Sequence, residues 1–210
     1  IYFCMFLRFL TILFVSFSLL NCTGDSSGNN NFSKEFQYES PDLQYKNAMI
    51  IFQKEQYGEA KKIFQNIERI YPLSNEAIQS QIMLGFTDYV LLDYDAAIIK
   101  FSKIIKKYPS LKNLDYVYYM KALCYYEQIA DEGLDGQYNK LALENLNQVI
   151  TRFPKSKYAK DSYQKIILVK SNIAAKHMTI ARFYQKEEKY TAALNRYKIV
   201  VESYDETKFL

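Results

Sequence analysis

The chain has no tryptophan, one histidine, three cysteines, six glycines and four prolines among its 210 residues. Each scarcity excludes something. A lone His177 leaves little room for imidazole-based metal sites or catalytic triads. The few glycines and prolines fall between patterned segments, which argues against a β-sandwich dense in turns. Positive charge is also short: 27 Lys and Arg against 23 Asp and Glu leave +4, spread along the chain instead of clustered, so no nucleic-acid partner is expected. Phosphate loops, nucleophile elbows and Cys/His ligand sets are missing. Carboxylate pairs such as Glu187-Glu188 are adjacent on a helix and diverge, so they cannot flank a bond. The expectation is a non-enzymatic protein with no metal and no cofactor.

Residues 1–21 read as a signal peptide. Arg8 supplies the positive charge and Phe9 to Leu20 the apolar stretch, which is short for a membrane span. It ends in Leu19-Leu20-Asn21-Cys22, which resembles a lipobox, with Asn21 where Gly, Ala or Ser is usual. Cys22 is therefore the expected site of covalent lipid; the alternative is an uncleaved anchor helix starting near Ile1. Residues 22–37 continue as a polar tether containing Thr23 to Asn31, TGDSSGNNN. Thr23 after the cysteine, in place of Asp, points to the outer membrane over the inner one. Cys4 lies in the discarded segment and Cys124 stands alone on an apolar helical pattern, so no disulfide is expected and Cys124 reads as a small buried hydrophobe.

Residues 38–210 form the expected folded domain. Tyr57-x-x-Ala60-x-x-x-Phe64-x-x-Ile67-x-x-x-Tyr71-Pro72 recurs as Tyr94, Ala97, Phe101, Ile104, Tyr108-Pro109. It returns as Ala142, Leu146, Val149, Phe153-Pro154 and again as Tyr190, Ala193, Tyr197, Val200, Tyr204. The spacing is that of an apolar helix face, and no alternating strand pattern competes. The class is all-α: an α-solenoid of about four helix pairs. Ala48, Gly85, Ala122 and Ala181 in the first helices, and Ala60, Ala97, Ala142 and Ala193 in the second, are expected at close helix crossings. Pro72, Pro109 and Pro154 should end second helices. Asp42, Asp115, Ser74 and Ser156 are candidate caps. An unbroken pattern from about Lys157 to Glu187 predicts a long first helix in the fourth unit, roughly 45 Å at ~1.5 Å per residue. Ile129 to Gln137, IADEGLDGQ, reads as a solvated loop whose spacing does not match an EF-hand.

The pattern resembles tetratricopeptide repeats, without the early Trp and with Ile67, Ile104, Val149 or Val200 in place of the late alanine. Further segments resemble the BamD family, lipoproteins of the outer-membrane β-barrel assembly machinery. These are Tyr71-Pro72-Leu73-Ser74, the block Asn113-Leu114-Asp115-Tyr116-Val117-Tyr118-Tyr119-Met120-Lys121-Ala122-Leu123, and Arg152-Phe153-Pro154 followed by Ser156, Tyr158-Ala159 and Asp161. Ala181-Arg182-Phe183-Tyr184, Asn195-Arg196-Tyr197 and Tyr204-Asp205-x-Thr207 complete the likeness. The family usually carries a fifth repeat. Only four are recognised up to Leu210, so the apolar face of the last helix should be exposed, covered by a partner, or continued by chain beyond Leu210.

The resemblance implies a scaffold on the periplasmic face of the outer membrane. It would bind the periplasmic domain of a β-barrel insertase of the BamA type through its carboxy-terminal half. Its amino-terminal repeats would form a groove for unfolded outer-membrane proteins. Candidate groove residues are Tyr45, Met49, Phe52, Phe86, Tyr89, Tyr116, Tyr119 and Tyr126, whose alternative role is inter-helix core. Such phenols could hydrogen-bond the backbone of an extended peptide. Candidate insertase contacts are Arg182 and Arg196, two of only five arginines in the chain; their alternative is an internal ion pair with Glu187, Glu188 or Glu202. A repeat lipoprotein serving pilus or secretin assembly, or adapting cell-wall enzymes, would share the solenoid and the lipid.

Overall fold

The computed structural model describes residues 39–129 and 136–207. The signal peptide, Cys22, the tether and the centre of the Ile129–Gln137 loop lie outside the described residues. Eight α-helices occupy the compact unit that begins at Pro41: α1 Pro41–Gln53, α2 Tyr57–Ile70, α3 Asn75–Val90, α4 Tyr94–Lys107, α5 Leu114–Glu127, α6 Gln137–Arg152, α7 Lys157–Lys186 and α8 Tyr190–Ser203. No strand occurs among the described residues. The architecture is the expected all-α solenoid of four helix pairs, with the long helix opening the fourth pair.

Small residues set the crossings. Ala48, Ala60, Ala97, Ala122, Ala142, Ala181 and Ala193 are all buried, as is Gly85, where a Cβ would stand 2.8 Å from Phe101 Cε1. The second helices α2, α4 and α6 are each wedged between the first helix of their own unit and that of the next, whereas α8 packs on α7. The first helices also touch one another, α1 with α3, α3 with α5 and α5 with α7, so they line the narrower side of the stack. Between units the core is apolar: Phe101 and Ile104 of α4 meet Val117, Met120 and Cys124 of α5. Leu114 and Tyr118 of α5 meet Leu146 and Val149 of α6 and Ile166 of α7. Cys124 is buried as expected, and burial pushes its thiol up to about 12, so it is inert.

The turns divide by position. Between units, second helices end at Ile70, Lys107 and Arg152, and a capping aromatic then leads into Pro72, Pro109 or Pro154. Within units, Glu55, Leu92 and Glu188 take left-handed backbone with φ of 61°, 62° and 59°. Behind them Gln56, Asp93 and Lys189 donate their N–H groups to carbonyls five residues back, closing three equivalent Schellman turns. None of these left-handed positions is glycine, which is how the chain builds them with so few.

Two of the four cap candidates are caps. Ser74 accepts the Ala77 N–H at 3.0 Å, and Ser156 accepts the Tyr158 N–H at 3.2 Å. Asp42 and Asp115 sit inside the first turns instead; Asp42 pairs with Lys46 at 2.7 Å. Asp93, which accepts the Ala96 N–H at 3.2 Å, is a cap that the repeat pattern obscured. On α8, Leu194 and Val201 are 63% and 56% exposed. Their counterparts Ile98 and Ile105 on α4, and Leu143 and Ile150 on α6, are half-buried by the following unit.

Candidate functional site

All eight candidate groove residues are half-buried, neither core nor fully open. The structure sorts them into two groups. Phe52, Phe86 and Tyr89 form the middle of a ring series that Tyr57 and Tyr94 extend, with successive centroids 5.0, 5.7, 6.2 and 5.6 Å apart. Tyr116 and Tyr119 instead gather around Tyr158, at 5.6 and 4.9 Å. Tyr45 leans on Phe64 within the first unit, at 5.7 Å, so it serves the inter-helix core alternative at least in part. Tyr126 lies beneath the Lys165 ammonium, 4.9 Å from its ring centre. Met49 lies half-buried on α1, in the same first-helix layer. Tyr57, Tyr94 and Tyr158 were missed as surface aromatics, although the repeat motif places the first two at the start of second helices.

The phenols are partly committed. Tyr89 Oη donates to Glu127 Oε1 at 3.4 Å, and Tyr119 Oη donates to Asp161 Oδ2, which also pairs with Lys165 at 3.6 Å. Burial, then the Glu127 carboxylate, pushes Tyr89 up to about 12; burial and the Asp161 bond raise Tyr119 further. Both remain protonated at any physiological pH. Each phenol oxygen keeps lone pairs that can accept a further hydrogen bond.

The Asn113–Leu123 block has a clear structural task. Asp115 Oδ1 accepts the Tyr116 N–H at 2.9 Å, and Asp115 Oδ2 accepts the Ser156 hydroxyl at 2.6 Å. Ser156 in turn caps α7, so the bond joins the start of α5 to the start of α7 and sets Tyr116 against Tyr158.

The two arginines separate. Arg182 is exposed near the end of α7 and forms no ion pair among the described residues. Arg196 is half-buried on α8 and pairs with none of the glutamates considered for it. Its Nη1 stands 3.3 Å from His177 Nδ1, and the His177 ring stacks on Tyr204 at 6.1 Å. Burial, the Arg196 charge and Lys176 hold His177 below the usual imidazole range, so at neutral pH its Nδ1 accepts a hydrogen bond from a guanidinium N–H of Arg196. Both side chains line a cleft of about 650 Å³ between α6, α7 and α8, together with Lys140, Glu144, Asn172 and Ile180.

Among the described residues no group of His, Cys, Asp and Glu could hold a metal ion, and no helix is long and apolar enough to cross a membrane. Residues 38–210 match the family model described as outer membrane lipoprotein, YfiO. The chain belongs to this family. It is similar to the outer membrane protein assembly factor BamD of Caulobacter vibrioides, 36% identical over 72% of this chain and 50% of that protein. The BamD of Rickettsia prowazekii is 34% identical over 78% of this chain and 65% of that protein. That of Pasteurella multocida is 24% identical over 95% of this chain and 78% of that protein. The chain thus spans about half to two thirds of the first two relatives. Their names are those of assembly factors, not enzymes.

Proposed function

We propose that this chain is a non-enzymatic scaffold of outer-membrane β-barrel assembly, anchored at the periplasmic face by lipid on Cys22. It docks the periplasmic domain of a β-barrel insertase and helps receive unfolded barrel proteins. Family membership supports the assembly role. The observation that carries the docking surface is Arg196. Its guanidinium reaches into an open cleft and is held by a neutral imidazole, with no carboxylate paired to it among the described residues. That leaves a full charge for a partner carboxylate, which an arginine fork can bind with two hydrogen bonds. Arg182, exposed on the same long-helix unit, extends the surface. The half-buried aromatic groups of the first helices support the receiving role, since they offer apolar faces and acceptor oxygens to an extended chain.

A photoreactive residue in place of Arg196, crosslinked in intact cells, tests the docking. An adduct with a β-barrel insertase is the expected result. An adduct with a secretin or a cell-wall enzyme would replace the proposed partner, and no adduct would remove this face from the docking surface. Release of a Cys22→Ser variant from the membrane fraction tests the anchor separately.

A further inference from the structure

His177 of α7 and Arg196 of α8 stand side by side on the wall of the cleft between α6, α7 and α8, Nδ1 to Nη1 at 3.3 Å. That contact is a hydrogen bond only while the imidazole is neutral. A protonated ring has no lone pair on Nδ1, and its charge repels the guanidinium. Tyr204 stacks on the ring with centroids 6.1 Å apart, which backs the imidazole on its other side. Among the described residues the other charged groups on the border are Lys140 and Glu144 of α6 and Lys176 of α7. Glu144 lies 4.0 Å from Lys140, its neighbour one turn earlier on the same helix. Three cations thus face one carboxylate, so the cleft disfavours a further positive charge and favours an anion. Burial first, then the Arg196 and Lys176 charges, keep the ring neutral at neutral pH.

We propose that His177 and Arg196 together form a proton-coupled carboxylate site, in which the ring takes up a proton as a carboxylate of the docked partner binds the guanidinium. The inference rests on the docking role of Arg196 and adds what that contact does with pH. A carboxylate seated on Arg196 brings its charge within about 4–6 Å of the imidazole, the range over which an opposite charge favours the protonated form. The Arg196 hydrogen bond to Nδ1 is then given up. Nδ1 gains its proton from solvent, and both the imidazolium and the guanidinium donate to the carboxylate oxygens. Coupling of this kind is reciprocal: the factor by which the carboxylate favours the proton is the factor by which the proton favours the carboxylate. Docking is therefore weakest above the imidazole range and tightens as pH falls, until the ring is protonated in the free chain as well. The proton that weakens the free fold strengthens the docked state.

His177 is the sole histidine of the chain, so its ring can be followed alone. The full chain, isotope-labelled at histidine and held in detergent, is titrated by NMR with and without the unlabelled periplasmic domain of the insertase. The imidazole titration midpoint is expected to move to higher pH when the domain is bound. Calorimetric affinities are compared at a pH of about 5.5 and about 7.5, on either side of the ordinary imidazole value. Binding should be about fivefold tighter at the lower pH, the low end of couplings between sites. In His177→Gln, which keeps an acceptor for Arg196, that gain should disappear. A midpoint that stays or falls with the domain bound, or an equal gain in His177→Gln, would overturn the proton coupling and leave the docking in place. No binding of the domain to the unmodified chain at either pH would overturn the docking role and the coupling with it.

Discussion

Asp115 Oδ2 accepts a hydrogen bond from the Ser156 hydroxyl at 2.6 Å, across 41 residues of sequence. One carboxylate thereby holds the start of α5 and the cap of α7 in register, and with them the ring contact between Tyr116 and Tyr158. Ser156→Ala removes both a helix cap and this bond and should cost about 1–2 kcal/mol. Asp115→Ala should cost a similar amount, and the double variant less than the two together by about 1 kcal/mol. Urea unfolding of the four proteins in the cycle measures this; strict additivity would mean that the bond couples nothing.

Asp88 is only 1% exposed, and Lys61 of α2 at 2.7 Å and Lys100 of α4 both donate to it. Replacing both lysines with methionine strands a buried charge and should cost about 3–5 kcal/mol. Asp88→Asn keeps the shape, and its two lysines, partly exposed, can turn to water, so it should cost less. The reverse order in denaturant midpoints would refute this account of the three-helix junction.

Gly85→Ala should destabilise by about 1–3 kcal/mol even though alanine is the better helix former, because the added carbon meets the Phe101 ring at 2.8 Å. In a Phe101→Leu background the penalty should shrink. An equal penalty in both backgrounds would place the clash elsewhere.

Leu92→Gly should act in the opposite direction. Leu92 is exposed and left-handed at φ 62°, so the change relieves strain of about 1 kcal/mol and buries nothing less. A higher melting temperature is the expected result; a lower one would show that unfolded-chain entropy outweighs the relief.

His177 should make stability sensitive to acid. Its folded-state pKa is lowered, so the unfolded chain binds the proton more readily. Its contribution is fully present above the ordinary imidazole value of about 6.5 and is lost as pH falls through the folded value. Comparing denaturant midpoints at pH 7.5 and at progressively lower pH, the drop should be smaller in His177→Gln than in the unmodified chain. Equal drops would assign the acid sensitivity to other groups.

The helix pairs, the buried small residues, the proline-marked ends and the length of α7 could all be read before any coordinates. They depend on apolar spacing of three and four residues and on proline's missing N–H, which are local properties of a helix and need no knowledge of neighbours. Other features arose only when the pairs stacked. Asp115 looked like a cap and is a cross-unit acceptor, because Ser156 reaches it only through the packing of α7 on α5. Arg196 met an imidazole and none of the nearby glutamates, since the antiparallel course of α8 along α7 brings His177 to it. Tyr158 joined the aromatic surface for the same reason. Composition and periodicity settled which elements exist and which faces are apolar; the relative placement of those elements decided which polar groups find partners.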